Sequence, residues 1–338
     1  MINLKEVLSE LSLSVGFGCI TGAADVAEKH LSKYGTVMSL GALGRALTLK
    51  GDSDYTVLID AHIDEVGFIV TNISSDGFLT VKNCGGVDLR HLPAKPVTIH
   101  GKRDVSGIFV STPPHLKKDD TAPETIADIK IDTGLDASAK DIISVGDFVS
   151  YRQKPLMLDD NTICGKSLDN RAGVAVLIAL ADRLYKKRLP VNVMLLFSDA
   201  EELGLRGAPP AIFGKKVDEA IVVDVSFGDA PDIPKDECGK LGDGAMVGFS
   251  AILDNNIFTR LNKIPKDKNI PCQAEGLGGR TSTNADVISV CERGIPTGLL
   301  SIPLRNMHTN TETVKISDIE SVLNILEEYI LTGGIMNV

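Results

Sequence analysis

Between Val66 and Arg152 the chain changes texture, and this change constrains the fold more than any other stretch. Short β-rich runs (GFIVTNI, GFLTVKNC, PVTIHG, SGIFVS and DFVSYR) follow one another, separated by Gly, Pro, Asn and Asp, with hardly a helical period among them. Runs of this length, punctuated in this way, suit a small barrel or sandwich. Upstream the pattern predicts helices at Leu4–Leu13 and Ala23–Tyr34, the second started by Thr21 and Gly22, and strands at Ala46–Lys50 and Thr56–Ala61. Downstream, apolar runs alternate with helical periods. A helix over Asn170–Lys187 leads to the strand VNVMLLFS, a helix near Leu205–Phe213 and the strand EAIVVDVS. A helix at Asn256–Leu261, the strand PCQAEG, a helix around Ala285–Arg293, the strand PTGLLSIP and a last helix from Ile316 to Leu331 complete the series. Such alternation implies an α/β fold, with a mostly parallel sheet sandwiched by helices. The expected organisation is one α/β domain built from residues 1–65 and 156–338, interrupted by a β-rich domain over residues 66–155.

At 338 residues the chain is long enough for two or three domains, and 43% hydrophobic with 24% charged residues is ordinary for a folded enzyme. A net charge of −10 with no basic run argues against a nucleic-acid partner. Lys5, Glu6 and Glu10 interrupt what a secretory signal would need as its apolar centre. The longest apolar run, Ala172 to Ala181, is far short of the roughly 20 residues that cross a bilayer and reads as a buried helix. The six cysteines are dispersed without a CxxC pair, the pattern expected of reduced thiols in a cytoplasmic protein.

Against this framework, polar residues stand where buried strands end. His62 closes TVLIDAHID, and Asp64 two residues on is placed to accept the proton of its other ring nitrogen. Asp169 precedes a helix in SLDNRAG; it is either the helix cap or a carboxylate with one oxygen for each of two cations. Glu201 and Glu202 follow the strand VNVMLLFSDA. As solvated loop acids they need no partner; engaged, one ligates and the other takes a proton from water. Asp224 ends AIVVDVS, and His308 follows GLLSIPLR. Mixed imidazole and carboxylate donors suit zinc, cobalt or manganese better than calcium or magnesium, with zinc the default. Two divalent cations would be balanced by Asp169, Glu202 and Asp224 together with a hydroxide between the ions.

The series AHIDEVGFIV, SLDNRAG, EELGLRGA, VVDVS and MHTNTE, in this order over nearly the whole chain, resembles the M42 metallo-aminopeptidases, which include glutamyl and tetrahedral aminopeptidases. The resemblance implies an α/β catalytic domain interrupted by a small β-barrel-like dimerisation domain. It implies Asp169 as the bridge between two metal ions, Glu202 and His308 on one ion, and His62 and Asp224 on the other. Glu201 becomes the general base on a metal-bridging water, and Asp64 the residue that orients His62. Peptides would be the substrates, and dimers would assemble into dodecamers. The sequence departs from the family pattern at Asn284, where Asp is common, at Arg305–Asn306, and at Pro209–Pro210. Rival readings keep the site but make it a deacylase or a glycoside-cleaving enzyme, or make the chain an assembly protein that has lost catalysis. The intact donor set weighs against the last. Two-metal hydrolysis of glycosides is chemically less natural than a metal-free carboxylate pair.

Overall fold

A computed structural model describes residues 2–110, 112–116, 125–126 and 128–336. The chain begins with helices α1 (Leu4–Leu13) and α2 (Gly22–Leu31), followed by strands β1 (Val37–Ser39), β2 (Gly44–Leu49) and β3 (Thr56–His62). Next come β4 (Gly67–Ile73), β5 (Leu79–Cys84), β6 (Pro96–His100), β7 (Asp104–Val110), β8 (Lys130–Asp132), the short helix α3 (Ala139–Ile142) and β9 (Phe148–Tyr151). The chain then returns through β10 (Leu156–Met157) and β11 (Thr162–Gly165) into α4 (Leu168–Leu184), β12 (Asn192–Ser198), α5 (Ala208–Ile212) and β13 (Glu219–Phe227). It ends with β14 (Ala245–Phe249), α6 (Asn255–Lys268), β15 (Cys272–Gly276), α7 (Ala285–Ile288), β16 (Thr297–Leu304), β17 (Glu312–Lys315) and α8 (Ile316–Leu331).

An eight-stranded sheet in the order β1-β2-β12-β3-β13-β16-β14-β15 forms the centre. Strands β12, β3, β13 and β16 are parallel neighbours, so their C-terminal ends share one edge. The period of two along each strand sorts side chains between two unequal layers. Val57, Ile59 and Ala61 of β3, with Val193, Leu195 and Phe197 of β12, join a large core with α1, α2, α4, α6 and α8. On the opposite face Leu58, Met194, Leu196 and Val222 pack against the much smaller α5 and α7. Asp60, His62 and Asp224 have the parity of this thin face. Helices of five and four residues leave the strand ends there uncovered.

The stretch that breaks the α/β pattern closes on itself as a six-stranded barrel, in the order β4-β5-β8-β7-β6-β9. Alternating apolar residues fill it, including Phe68, Val70, Leu79, Val97, Ile99, Phe109 and Val149. Phe68 packs edge-on against Phe109 at 4.9 Å and against Tyr151 at 5.5 Å between ring centroids. Ser111, the last residue of the expected SGIFVS strand, lies outside the described residues.

Several element boundaries differ from the sequence-based expectation. The helix expected over Leu205–Phe213 begins only at Ala208, because Leu205 is left-handed at φ 59°. The one expected to reach Arg293 stops at Ile288, ahead of left-handed Glu292 and Gly294. Helix α2 ends at Leu31, short of Tyr34. Conversely, α6 continues past Leu261 to Lys268 with Pro265 inside it. The missing proline N–H removes one helical bond, but Ile257, Leu261 and Ile264 keep one face of the helix buried. Strand β8, of three residues, is too short to stand out by period, and β14 and β17 also lie outside the expected strands.

Phe68→Ala removes the fully buried centre of the barrel and is expected to cost about 3–5 kcal/mol. Urea unfolding measures it, and a loss under about 1 kcal/mol would mean that the barrel has no packed core.

Candidate metal centre

All seven residues singled out from the sequence meet at the shared C-terminal edge of the parallel strands. His62 ends β3 and Asp224 lies on neighbouring β13. Glu201 and Glu202 follow β12, and His308 follows β16. Asp169 reaches the same edge from the start of α4, which lies under the thick face. The site therefore sits where consecutive strands diverge to either side of β3, the place where open α/β sheets leave a crevice.

Asp169 is not the helix cap. Its φ/ψ of −79°/106° is extended, and the peptide bond that joins it to Asn170 is cis. Asn170 does the capping instead: its Oδ1 accepts the N–H of Gly173 at 3.0 Å, while its amide donates to the Val223 carbonyl at 2.7 Å. This frees both Asp169 oxygens. Oδ1 lies 3.1 Å from His62 Nε2, and Oδ2 lies 3.3 Å from His308 Nε2. His62 Nε2 is also 3.6 Å from Asp224 Oδ1, and His308 Nε2 is 3.3 Å from Glu202 Oε1. Three donor groups result, each with its ligating atoms within 4.8 Å of one another: His62–Asp169–Asp224 and Asp169–Glu202–His308, which share Asp169, and His62–Glu201–Glu202.

Non-glycine residues held at positive φ gather around these groups: Ser167, Ala200, Ser282, Asn306 and His308. Such conformations persist only where surrounding contacts enforce them. Asp64 supplies one set of contacts, accepting the N–H groups of Glu201 and Glu202 at 3.1 Å each. Its Oδ1 is 3.4 Å from His62 Nδ1, but this ring nitrogen makes no hydrogen bond. The sequence suggests only the imidazole contact for Asp64. Its grip on the acidic turn depends on a junction between distant strands.

Taken alone, these side chains hold too much negative charge for their burial. Burial, and then the charges of Asp224, Glu202 and Asp169, push the Glu201 carboxyl up to about 9, although His62 pulls the other way. Burial likewise drives Asp224 and Glu202 upward. Burial disfavours a charged His308, yet Asp169 and Glu202 overcome it and raise the imidazole to about 11. Carboxyls raised at Glu201, Glu202 and Asp224 and imidazoles raised at His62 and His308, with Asp169 held down by the two rings, describe a donor set short of positive charge. Divalent cations supply that charge and reverse the balance. The residues present therefore fit the cations that their donor types suggest.

The groups line a cavity of about 270 Å³, whose other walls are Val225, Ser226, Phe227, Thr281, Ser282, Thr283 and Met307. Sequence reasoning did not single out these wall residues, which only the fold brings together. Asn284, a departure from the family pattern, does not line the cavity. It is buried below, where its amide donates to Asp60 Oδ2 and to Ser198 Oγ, at 2.9 Å each. An aspartate there would face the fully buried Asp60 carboxylate. Asn306 donates to the Thr311 carbonyl at 3.1 Å and closes the loop that carries His308. Pro209 and Pro210 occupy the first turn of α5, where the N–H groups they lack would have had no helical acceptor.

A buried ion network, also unforeseen, fastens the start of α4. Lys166 Nζ donates to Glu65 Oε2 at 2.7 Å and to the Ser14 carbonyl at 3.0 Å, and the Ser167 hydroxyl bonds to the same Glu65 oxygen. Arg171, with no exposed surface, lies 3.7 Å from Glu65 Oε1. Burial raises the Glu65 carboxyl, but Lys166 and Arg171 more than offset it and hold it below its ordinary range.

The family model described as M42 glutamyl aminopeptidase matches residues 44–325. The chain is 26% identical over 313 residues to the lysyl aminopeptidase of Pyrococcus furiosus, covering 90% of this chain and 89% of that one. Among solved structures, a TET aminopeptidase from a marine sediment archaeon of the Thaumarchaeota superposes with a TM-score of 0.93 at 26% identity, over 98% of this chain and 96% of that one. The TET1 peptidase of Pyrococcus horikoshii, which can assemble into a tetrahedron or a large octahedral shell, superposes with a TM-score of 0.85 at 25% identity, covering 97% and 99%.

Glu65→Gln leaves two buried cations without their counter-charge and is expected to cost about 3–5 kcal/mol at neutral pH. Because the Glu65 pKa is depressed in the folded protein, its contribution is complete above the ordinary carboxylate range and is lost as pH falls through the folded value. Urea unfolding should therefore show the gap between variant and wild type closing in acid. An equal gap at neutral and acidic pH would contradict this assignment.

Proposed function

The chain belongs to the M42 glutamyl aminopeptidase family and is a hydrolase that acts on peptides; from this premise we propose that it removes N-terminal residues with a two-cation centre. The observation that carries the proposal is the pair of donor groups that share Asp169 and place one oxygen of that carboxylate toward each histidine. His62 and Asp224 would hold one ion, Glu202 and His308 the other, and Asp169 both. Bound there, divalent ions, zinc by default with cobalt or manganese as alternatives, supply Lewis acidity to the scissile carbonyl.

The remaining work falls to the protein. Glu201 faces the cavity and is unclaimed by either of the two groups sharing Asp169, with Oε2 4.0 Å from His62 Nε2. It takes the proton of the attacking water and returns it to the leaving amine. Asp64 fixes the turn from which Glu201 projects, through both backbone N–H bonds. Val225, Phe227 and Met307 give the cavity apolar walls, and Thr281, Ser282 and Thr283 polar ones. Among the described residues, this lining contains no lysine or arginine, and its acids are the proposed cation donors and Glu201. It therefore favours uncharged N-terminal side chains over glutamate or lysine.

The inserted domain, residues 66–155, is assigned to dimerisation, and dimers to a dodecameric homo-oligomer, in line with the family and with the assembling TET1 peptidase. The six unpaired cysteines suit a reducing, cytoplasmic setting. Among the described residues, no helix is long and apolar enough to cross a membrane.

Two measurements test this reading. Glu201→Gln should keep the wild-type metal content and lose roughly 10²–10⁴-fold in kcat; full activity in that variant would remove Glu201 from the mechanism. Chelation should abolish the hydrolysis of aminoacyl-p-nitroanilides, and zinc or cobalt should restore it, with leucyl and methionyl substrates ahead of glutamyl and lysyl ones. Fastest turnover of a charged substrate, or of soluble cellulose, would refute the specificity argument.

A further inference from the structure

The backbone N–H groups of Asp169 and His308 have unusual surroundings. Asp169 is extended at the mouth of a helix, where amides have no helical acceptor. His308 is left-handed, at φ 62°, in the turn after β16. Both residues lie near the protein interior, where an unpaired N–H is costly. One side chain serves both. Glu312, on β17 and 1% exposed, accepts the Asp169 N–H on Oε2 at 3.0 Å and the His308 N–H on Oε1 at 2.8 Å.

We propose that Glu312 is a positioning residue: its carboxylate clasps Asp169 and His308 by their backbones and sets the spacing of the donor group that these two form with Glu202. The proposal rests on the two-cation reading above and adds to it a residue that touches neither substrate nor ion. The span suits the task. Asp169 and His308 belong to separate elements, and each has its donor atom 3.3 Å from the other's across the group. The histidine is also confined from behind. Gly86, in the barrel loop after β5, lies so close that a Cβ there would sit 3.2 Å from His308 Nδ1. With the backbone held by Glu312 and the ring backed by Gly86, Nε2 faces Asp169 and Glu202.

A buried carboxylate that accepts two N–H bonds can equally serve stability alone, and this protein contains such a case. Asp318, in α8, accepts the N–H groups of Gly242 at 2.8 Å and Gly244 at 3.0 Å, both outside the site. What separates Glu312 is that both of its donors belong to members of one cation group. Asp318 therefore provides the matched control.

The test is a cobalt titration of metal-free protein, followed by equilibrium dialysis and by visible absorption of the bound ion, on wild type, Glu312→Gln, Glu312→Asp and Asp318→Asn. Glutamine keeps one acceptor and turns a donor toward the other N–H; aspartate keeps the charge but is too short to reach both. In each, the weaker of two cobalt equivalents should bind roughly 10–100-fold less tightly, with a changed absorption band. Asp318→Asn should lower the unfolding temperature and leave both cobalt affinities and the band as in wild type. If Glu312→Gln fails to fold, Glu312→Asp decides. A folded Glu312 variant with wild-type affinities and band overturns the clasp, as does an Asp318→Asn protein with the same metal defect. Wild type that takes up fewer than two equivalents, or that is loaded yet inactive on peptides, defeats the two-cation reading itself, whatever the Glu312 variants do.

Discussion

Five carboxylates and two imidazoles are drawn together at one edge of a sheet, where only the His308 side chain keeps an appreciable share of solvent. Like charges at such spacing, in so little water, repel unless cations or protons intervene. Most of the polar structure nearby restrains this crowding. Asp64 holds the glutamate pair by its amides, Glu312 holds Asp169 and His308, and Glu65 with Lys166 and Arg171 anchors the start of α4. Beneath them Asn284 donates an amide N–H to Asp60, where an aspartate would add a second acid. A cation bound as proposed would meet donors already in place, so little of its binding free energy would go into ordering side chains.

The unequal layers of the sheet explain why the crowding lies where it does. The thick face is packed solid by α1, α2, α4, α6 and α8. Among the described residues the thin face carries α5 and α7, and beyond their ends the strands β3 and β13 present His62 and Asp224 to the cavity. The barrel contributes to the same site. Its loop after β5 places Gly85 against Glu202, and Gly86 so near His308 that a Cβ there would press on the imidazole. The insertion thus forms part of the wall of the centre, in addition to any part it plays in assembly.

Much of this was legible beforehand, and for a physical reason. His62, Glu202, Asp224 and His308 stand at or just beyond the ends of apolar runs, and a polar group there is expensive unless it is engaged. The barrel was legible because its period of two replaces the helical period on either side. Asp169 was only half legible. Its place before a helix is a capping signal, and the neighbouring Asn170 takes the cap instead. The sequence pattern makes helices α5 and α7 longer than they are because it does not show that Leu205 and Glu292 adopt left-handed backbone.

The sequence by itself determined the chemistry: which donor types are present, in what order, and that an α/β sheet interrupted by a barrel would carry them. These follow from local period and from the cost of polar groups on apolar strands. The tertiary structure alone decided which oxygen of Asp169 faces which histidine, that Asp64 grips a turn as well as facing a ring, and that Glu312 joins two amides 139 positions apart in the chain. Contacts between segments so distant in the chain depend on how whole layers pack, and no local pattern of residues encodes that packing.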